Sequence, residues 1–146
     1  MPSILANVSN RGATPALIAT MSFSEARLRV IADNVANVHT PGYRAKQLDV
    51  GSFQHALRKA LDEKGNRTAN TLNVEAGRQV ATRQDGTLEI QATHRPVDNA
   101  LFHDGTNLSI EREMADLAET GMMHDLAATL LQGRFEGLRK AIRGTM

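Results

Sequence analysis

Ala32-Asp33-Asn34-Val35-Ala36-Asn37-Val38-His39-Thr40-Pro41-Gly42-Tyr43-Arg44 is where the chain changes character. Upstream of it, Leu17, Met21, Ser24, Leu28, Ile31, Val35 and Val38 recur at alternating spacings of four and three. That is an a/d heptad stripe, interrupted only by Ser24, and it predicts a helix. Thr14-Pro15 reads as its start, with Thr14 as N-cap and proline at the first helical position. Pro41 disfavours helical geometry at Thr40, and Gly42 supplies a turn, so the helix is predicted to end near Val38 or His39. Asn34, Asn37 and Thr40 are spaced by three and share one side of the last turns. Their short side chains can bond the exposed carbonyls there or a neighbouring subunit. Pro41-Gly42 sets a fixed turn, and Tyr43 can bury its ring while its hydroxyl stays bonded.

A second helix is predicted at the other end. Ser109 is its candidate N-cap, Glu111 and Glu113 put negative charge in the first turn, and Arg139, Lys140 and Arg143 put positive charge in the last, with Gly144 beyond. Its stripe reads Ile110, Met114, Leu117, Gly121, His124, Ala128, Leu131, Phe135, Leu138, Ile142. At about 1.5 Å per residue this is a rod of about 50 Å. Gly121, Gly133 and Gly137 each cost about 1 kcal/mol relative to Ala inside a helix, which suits a segment that orders on assembly.

Between the two lies a less regular stretch. Ser52 to Lys64 predicts a short amphipathic helix with Phe53, Ala56, Leu57, Ala60 and Leu61 on one side. Gly65 to Gly77 reads as loop or disorder. Gln79 to Thr93 alternates weakly around Gly86, which suggests a short hairpin, and Arg95 to Asn107 reads as loop. The expected fold is therefore mainly α. Long N- and C-terminal helices pack as a coiled-coil-like pair, with an irregular middle containing a short helix and a β-hairpin. Residues 1–45 and 105–146 would form a terminal helical assembly domain, and 46–104 a middle segment facing outward. So small a middle is not expected to cover either stripe, which leaves the other helix, other subunits, or both.

Composition narrows the function classes. Only 3% of the 146 residues are aromatic, and the net charge is +1. There is no run of five like charges to form a nucleic-acid footprint. The chain has no Cys, which removes disulfides, thiolate catalysis and cysteine metal sites. His39, His55, His94, His103 and His124 include no i, i+4 pair, and no H-E-x-x-H, P-loop, dinucleotide fingerprint or G-x-S-x-G occurs. The expectation is a protein that is not an enzyme, with no metal, no cofactor and no small-molecule substrate. Met1 to Arg11 lacks the basic and apolar blocks of a cleaved signal, and no segment approaches the roughly 18 apolar residues of a membrane span.

The segment from Ala32 to Arg44 resembles the N-terminal signature of the flagellar axial proteins, the rod, hook and hook-associated subunits. In that family an Asn-rich helix end runs into Thr-Pro-Gly-Tyr and a basic residue. The matching positions are Asn34, Asn37, Thr40, Pro41, Gly42, Tyr43 and Arg44. The run Phe102 to Ala118, with Asp104-Gly105 and Glu113-Met114, is similar to the proximal-rod members of the family. So is the end of the chain, with Phe135, Leu138, Arg139, Ala141 and Ile142. The resemblance covers roughly residues 15–53 and 100–143. It departs at Thr106, at Ser109-Ile110, and at Met122-Met123-His124, where the family often carries an aromatic residue.

The resemblance implies a structural subunit of the proximal rod of the bacterial flagellar basal body, polymerising through its terminal helices into a torque-transmitting drive shaft. Its assembly motif would be Asn34, Asn37, Thr40, Pro41, Gly42 and Tyr43. Its helix seam would be Leu17, Met21, Leu28, Ile31, Val35 and Val38 with Ile110, Met114, Leu117, Leu131, Phe135, Leu138 and Ile142. Implied partners are copies of itself, other rod proteins, the inner-membrane ring with its rod adaptor, and the flagellar type III export apparatus. The implied location is the periplasmic rod, reached without a cleaved signal peptide. Another rod subunit is the alternative within the class. A helical type III export chaperone or adaptor is the alternative outside it, and would not need Asn-x-x-Asn-x-x-Thr-Pro-Gly-Tyr.

Overall fold

The computed structural model describes residues 12–66, 72–96 and 109–144. Its elements run α1 (Thr14–Ala36), β1 (Lys46–Gln47), α2 (Val50–Asn66), β2 (Val80–Thr82), β3 (Leu88–Ile90), β4 (Thr93–His94) and α3 (Ile110–Arg143). The fold is mainly helical, with long terminal helices in contact along their sides and a middle of one shorter helix and small antiparallel ribbons.

The helix ends follow local chemistry, with two corrections. Ala13, not Thr14, is the N-cap of α1; Thr14 is already helical, and no side chain caps this end. Pro15 still falls in the first turn, where its missing N–H costs nothing. At the other end α1 stops at Ala36, a little before Val38, because Asn37 takes over as C-cap and its N–H reaches back to Asp33 O and Asn34 O. α3 begins as expected. Ser109 Oγ accepts from Arg112 N at 3.4 Å, and the helix closes on Gly144 at φ 65°.

α2 is longer than its apolar pattern suggests. Asp49 is the reason: its Oδ1 accepts from Ser52 N at 3.1 Å and its Oδ2 from Ser52 Oγ at 2.8 Å. This cap starts the helix at Val50. The same two bonds hold the Asp49 carboxyl below its ordinary pKa.

β2 and β3 form the expected hairpin, with Val80 opposite Ile90 and Thr82 opposite Leu88. Gly86 sits in its turn at φ 85°, a conformation that favours glycine. β1 pairs with β4, Lys46 opposite His94. Gln79 ties the two ribbons together. Its side chain donates to Gln47 O at 3.0 Å and Thr93 Oγ1 at 2.6 Å, and accepts from Asp49 N at 2.9 Å.

The main core lies between the first half of α1 and the middle segment, where α1 buries Ala19 and Phe23, residues off its heptad stripe. Phe23 and Phe53 stack at 4.1 Å with their rings 4° apart, surrounded by Ala19, Leu48, Ala56, Ala60 and Val80. Leu72, Val74 and Ala76, in the stretch read as loop, are also core residues. Asn73 and Glu75 between them are exposed, so the run alternates like a strand. Val74 N donates to Thr82 Oγ1, which in turn donates to Val74 O, so side-chain bonds replace a ladder.

Candidate functional site

α1 and α3 run antiparallel. Asn34 meets Glu113, Arg27 meets Asp116 and Glu119, and a Cβ on Gly12 would come within 2.9 Å of Arg134 Nη1. At about 1.5 Å per residue, α3 spans about 51 Å and α1 about 35 Å, so the C-terminal turns of α3 run on beyond Gly12.

The side of α1 that faces α3 is not the expected apolar stripe. Ser24, Arg27, Ile31 and Asn34 are its fully buried positions. Ser24 and Ile31 belong to the stripe; Arg27 and Asn34 stand one residue before Leu28 and Val35, which are half-buried, as are Leu17, Met21 and Val38. On α3 the fully buried positions are Glu113, Thr120 and Ala127, one heptad apart. Leu131 is half-buried. Ile110, Met114, Leu117, Phe135, Leu138 and Ile142 are exposed, Ile142 by 86%.

The motif at the end of α1 folds into a junction. Asn34 is 1% exposed and uses both ends of its amide. Nδ2 donates to Lys46 O at 2.9 Å and to Glu113 Oε2 at 3.0 Å. Oδ1 accepts from Lys46 N at 3.0 Å and from the Tyr43 hydroxyl at 3.1 Å. One side chain thus joins α1, the start of β1 and the first turn of α3. Burial, followed by the nearby Asp33 and Glu113 charges, raises the Tyr43 pKa above its ordinary 10.0.

Asn37, Thr40, Pro41 and Gly42 build the bend that brings Tyr43 and Lys46 back to Asn34. Asn37 Nδ2 donates to Asp33 O, and Thr40 Oγ1 donates to Asn37 Oδ1. Tyr43 N donates to Thr40 O across a β-turn with Pro41 and Gly42 at its centre, and Gly42 has φ 74°. Proline followed by glycine at positive φ is the pattern a type II turn requires.

Five charged residues complete the junction, and apolar periodicity passes over all of them. Glu113, read from sequence as negative charge in the first turn of the helix, is fully buried. Arg95, just after β4, places Nη2 2.8 Å from Glu113 Oε1 and 3.8 Å from Asp116 Oδ2. Arg27 Nη2 lies 3.1 Å from Asp116 Oδ1, and its Nη1 3.0 Å from Glu119 Oε2. The Arg95–Glu113 pair is an ion pair without hydrogen-bond alignment, since Arg95 Nη1 and Glu113 Oε1 make no hydrogen bond to the described residues. A cavity of about 70 Å³ borders these groups. The sequence signal was the seven-residue spacing of Arg27 with Asn34 and of Glu113 with Thr120.

Among the described residues no group of three or more His, Asp or Glu side chains could hold a metal. His124 lies beside Asp125, with Nδ1 3.5 Å from Oδ1. Phe102 to Leu108, the start of the second family-like segment, lies outside the described residues.

Residues 17–44, which hold most of α1 and its Pro-Gly bend, match a family model described as flagella basal body rod protein. The chain is 30% identical to the flagellar basal body rod protein FlgB of Cereibacter sphaeroides, across 82% of this chain and 85% of that one. It is 25% identical to FlgB of Bacillus subtilis across 85% and 88%, and 23% identical to FlgB of Salmonella typhimurium across 81% and 83%. An alignment at this identity over most of both chains, joined to the matched motif at the end of α1, shows that the chain belongs to the flagellar basal body rod protein FlgB family.

Proposed function

We propose that this chain is a structural subunit of the proximal rod of the flagellar basal body, polymerising through its terminal helices to transmit torque, and that it catalyses nothing. The observation that carries the reading is the apolar stripe left exposed on α3. Met114, Phe135 and Ile142 are 46%, 44% and 86% exposed on the same long helix. A soluble single subunit gains nothing from such a stripe; a subunit with neighbours buries it. The interior glycines fit the same picture. A Cβ at Gly121, Gly133 or Gly137 would meet nothing within 4 Å, so packing inside the chain does not require them. They would let another backbone approach closely.

On this reading the terminal helices form the inner assembly domain, and residues 46–104 face outward. The partners are further copies, other rod proteins, and the inner-membrane ring with its adaptor. The chain reaches the periplasm through the flagellar type III export apparatus without a cleaved signal. Among the described residues no helix is long and apolar enough to cross a membrane.

The test uses residues that the free chain does not need. Phe135→Asp and Ile142→Asp should leave the helicity of the purified subunit and its export unchanged. Basal bodies isolated from such cells should lack a rod, and the cells should not swim. Normal rods and normal swimming with both changes would overturn the assignment.

A further inference from the structure

The seam between α1 and α3 has an unusual division of labour. Its central hydroxyls bond only to their own helices. Ser24 Oγ donates to Thr20 O at 2.8 Å, Thr20 Oγ1 to Ala16 O at 2.9 Å, and Thr120 Oγ1 to Asp116 O at 2.6 Å. Satisfied in this way, they are indifferent to what lies opposite. The remaining fully buried seam residues there, Ile31 and Ala127, are apolar and contact without direction. On α3 the buried positions Glu113, Thr120 and Ala127 repeat every seven residues. Sliding the helices by one heptad, about 10.5 Å, would put Thr120 where Glu113 is and keep the small and apolar residues in the seam. Among the described residues, directional bonds from α1 to α3 occur only at the junction end, where Asn34 and Arg27 meet Glu113, Asp116 and Glu119, with Arg95 closing over them.

We infer that the Asn34–Glu113–Arg95–Arg27 network fixes the axial register of α3 against α1, selecting one of several packings that the seam alone would accept. The physical reason is the asymmetry of buried charge. In the native register Asn34 and Arg95 meet Glu113, and Arg27 meets Asp116 and Glu119; one heptad away Thr120 would stand opposite Asn34, and Met123 and Leu126 opposite Arg27, so that the buried Arg27 and Arg95 would lose their carboxylates. An unpaired buried charge costs far more than a well-formed pair contributes, so such a network discriminates between registers more than it stabilises any one of them. Register matters because it sets how far the end of α3 projects past α1 and where its exposed apolar stripe sits relative to the middle segment. The inference concerns the free chain and does not depend on the rod assignment.

The chain has no cysteine, so spin labels can be placed without background. Ala36→Cys and Arg139→Cys label exposed positions near the C-terminal ends of the two antiparallel helices. Their separation, about 40 Å along the axis, changes by nearly the full heptad rise if the register slips. In the otherwise native chain, pulsed electron spin resonance should give one narrow distance. Glu113→Gln combined with Arg95→Gln and Arg27→Gln removes the buried charges of the network; it should keep the helical signal and add a second distance displaced by about 10 Å. Charge exchange, Glu113→Arg with Arg95→Glu, should restore most of the native distance. Ser24→Ala with Thr120→Val, which removes only self-bonded hydroxyls, should leave the single distance unchanged. A single native distance in the neutral triple variant would overturn the inference. So would loss of helix without a second register, or a shift caused by the hydroxyl variant.

Discussion

The two halves of α1 are held by opposite means. Its first half buries Ala19 and Phe23 against the middle segment, in a core of aromatic, aliphatic and alanine side chains. Its second half buries Arg27 and Asn34 against α3, in a junction of amides and charges. The apolar half supplies free energy without direction, because burial of hydrocarbon is insensitive to orientation. The polar half supplies little net free energy, because desolvation offsets most of what its bonds contribute, but it accepts only one arrangement. The difference teaches where to look for stability in this subunit and where to look for geometry.

The sharpest break falls on the apolar half. Phe53→Ala removes one ring of the Phe23–Phe53 stack and leaves a cavity beside Val74 and Val80, at a cost of about 3–5 kcal/mol. Urea denaturation should show the midpoint collapse. A loss under about 1 kcal/mol would mean that this core is not the stabilising half.

On the polar half, Asn34→Ala should cost less, about 2–3 kcal/mol, by leaving Lys46 N, Lys46 O and Glu113 Oε2 with fewer partners. The more telling readout is hydrogen exchange. Protection should fall around Lys46 and Glu113 while the amides around Phe53 keep theirs. Equal loss in both regions would abolish the distinction between them.

Gly42→Val tests the bend by itself. Among the described residues no atom beyond its chain neighbours lies within 4 Å of where a Cβ would be placed, so the penalty comes from φ 74°, about 1–2 kcal/mol. Such a subunit should retain both helices by circular dichroism while the tie from Tyr43 to Asn34 loosens. A stability equal to the parent would show that the turn accepts another conformation at no cost.

The smallest effect is expected from Tyr43→Phe, about 1 kcal/mol for one hydrogen bond. Its pH dependence carries more information. The folded pKa of Tyr43 is raised above 10.0, so the folded state favours the protonated phenol. Its contribution is fully present below pH 10 and is lost as pH rises through the folded value. Stability should therefore fall more steeply above about pH 10 in the parent than in Tyr43→Phe. Tyr43 is the only tyrosine, so its absorbance titration reads the shift directly. Identical slopes would mean that the hydroxyl is not part of the junction.

Much of the fold was legible from periodicity and punctuation. The heptad stripes predict two long helices, Ser109 and Gly144 mark the ends of α3, Pro41-Gly42 marks the bend, and Gly86 marks the hairpin. These are local signals, decided by a residue and its near neighbours in the chain. Leu72 to Ala76 was illegible because its polar residues alternate with core residues in an Asn- and Thr-rich context, and its backbone is satisfied by Thr82 rather than by a ladder. The junction was half legible. Asn34 and Tyr43 stand out by motif, and Glu113 recurs with Thr120 at seven residues, but nothing around Arg95 announces a partner far along the chain.

By itself the sequence determined that α1 and α3 are helices, that a Pro41-Gly42 turn follows the first, and that each helix carries a heptad stripe. Only the tertiary structure decided which side of each helix faces the other. A count of apolar residues assigns Leu28 and Val35 to the seam, whereas the folded chain gives the buried places to Arg27 and Asn34. The reason is that a buried polar group is tolerable only when its partners arrive from elsewhere. Those partners, Arg95, Glu113 and Asp116, are brought to Asn34 and Arg27 by the β1–β4 pairing and the antiparallel course of α3.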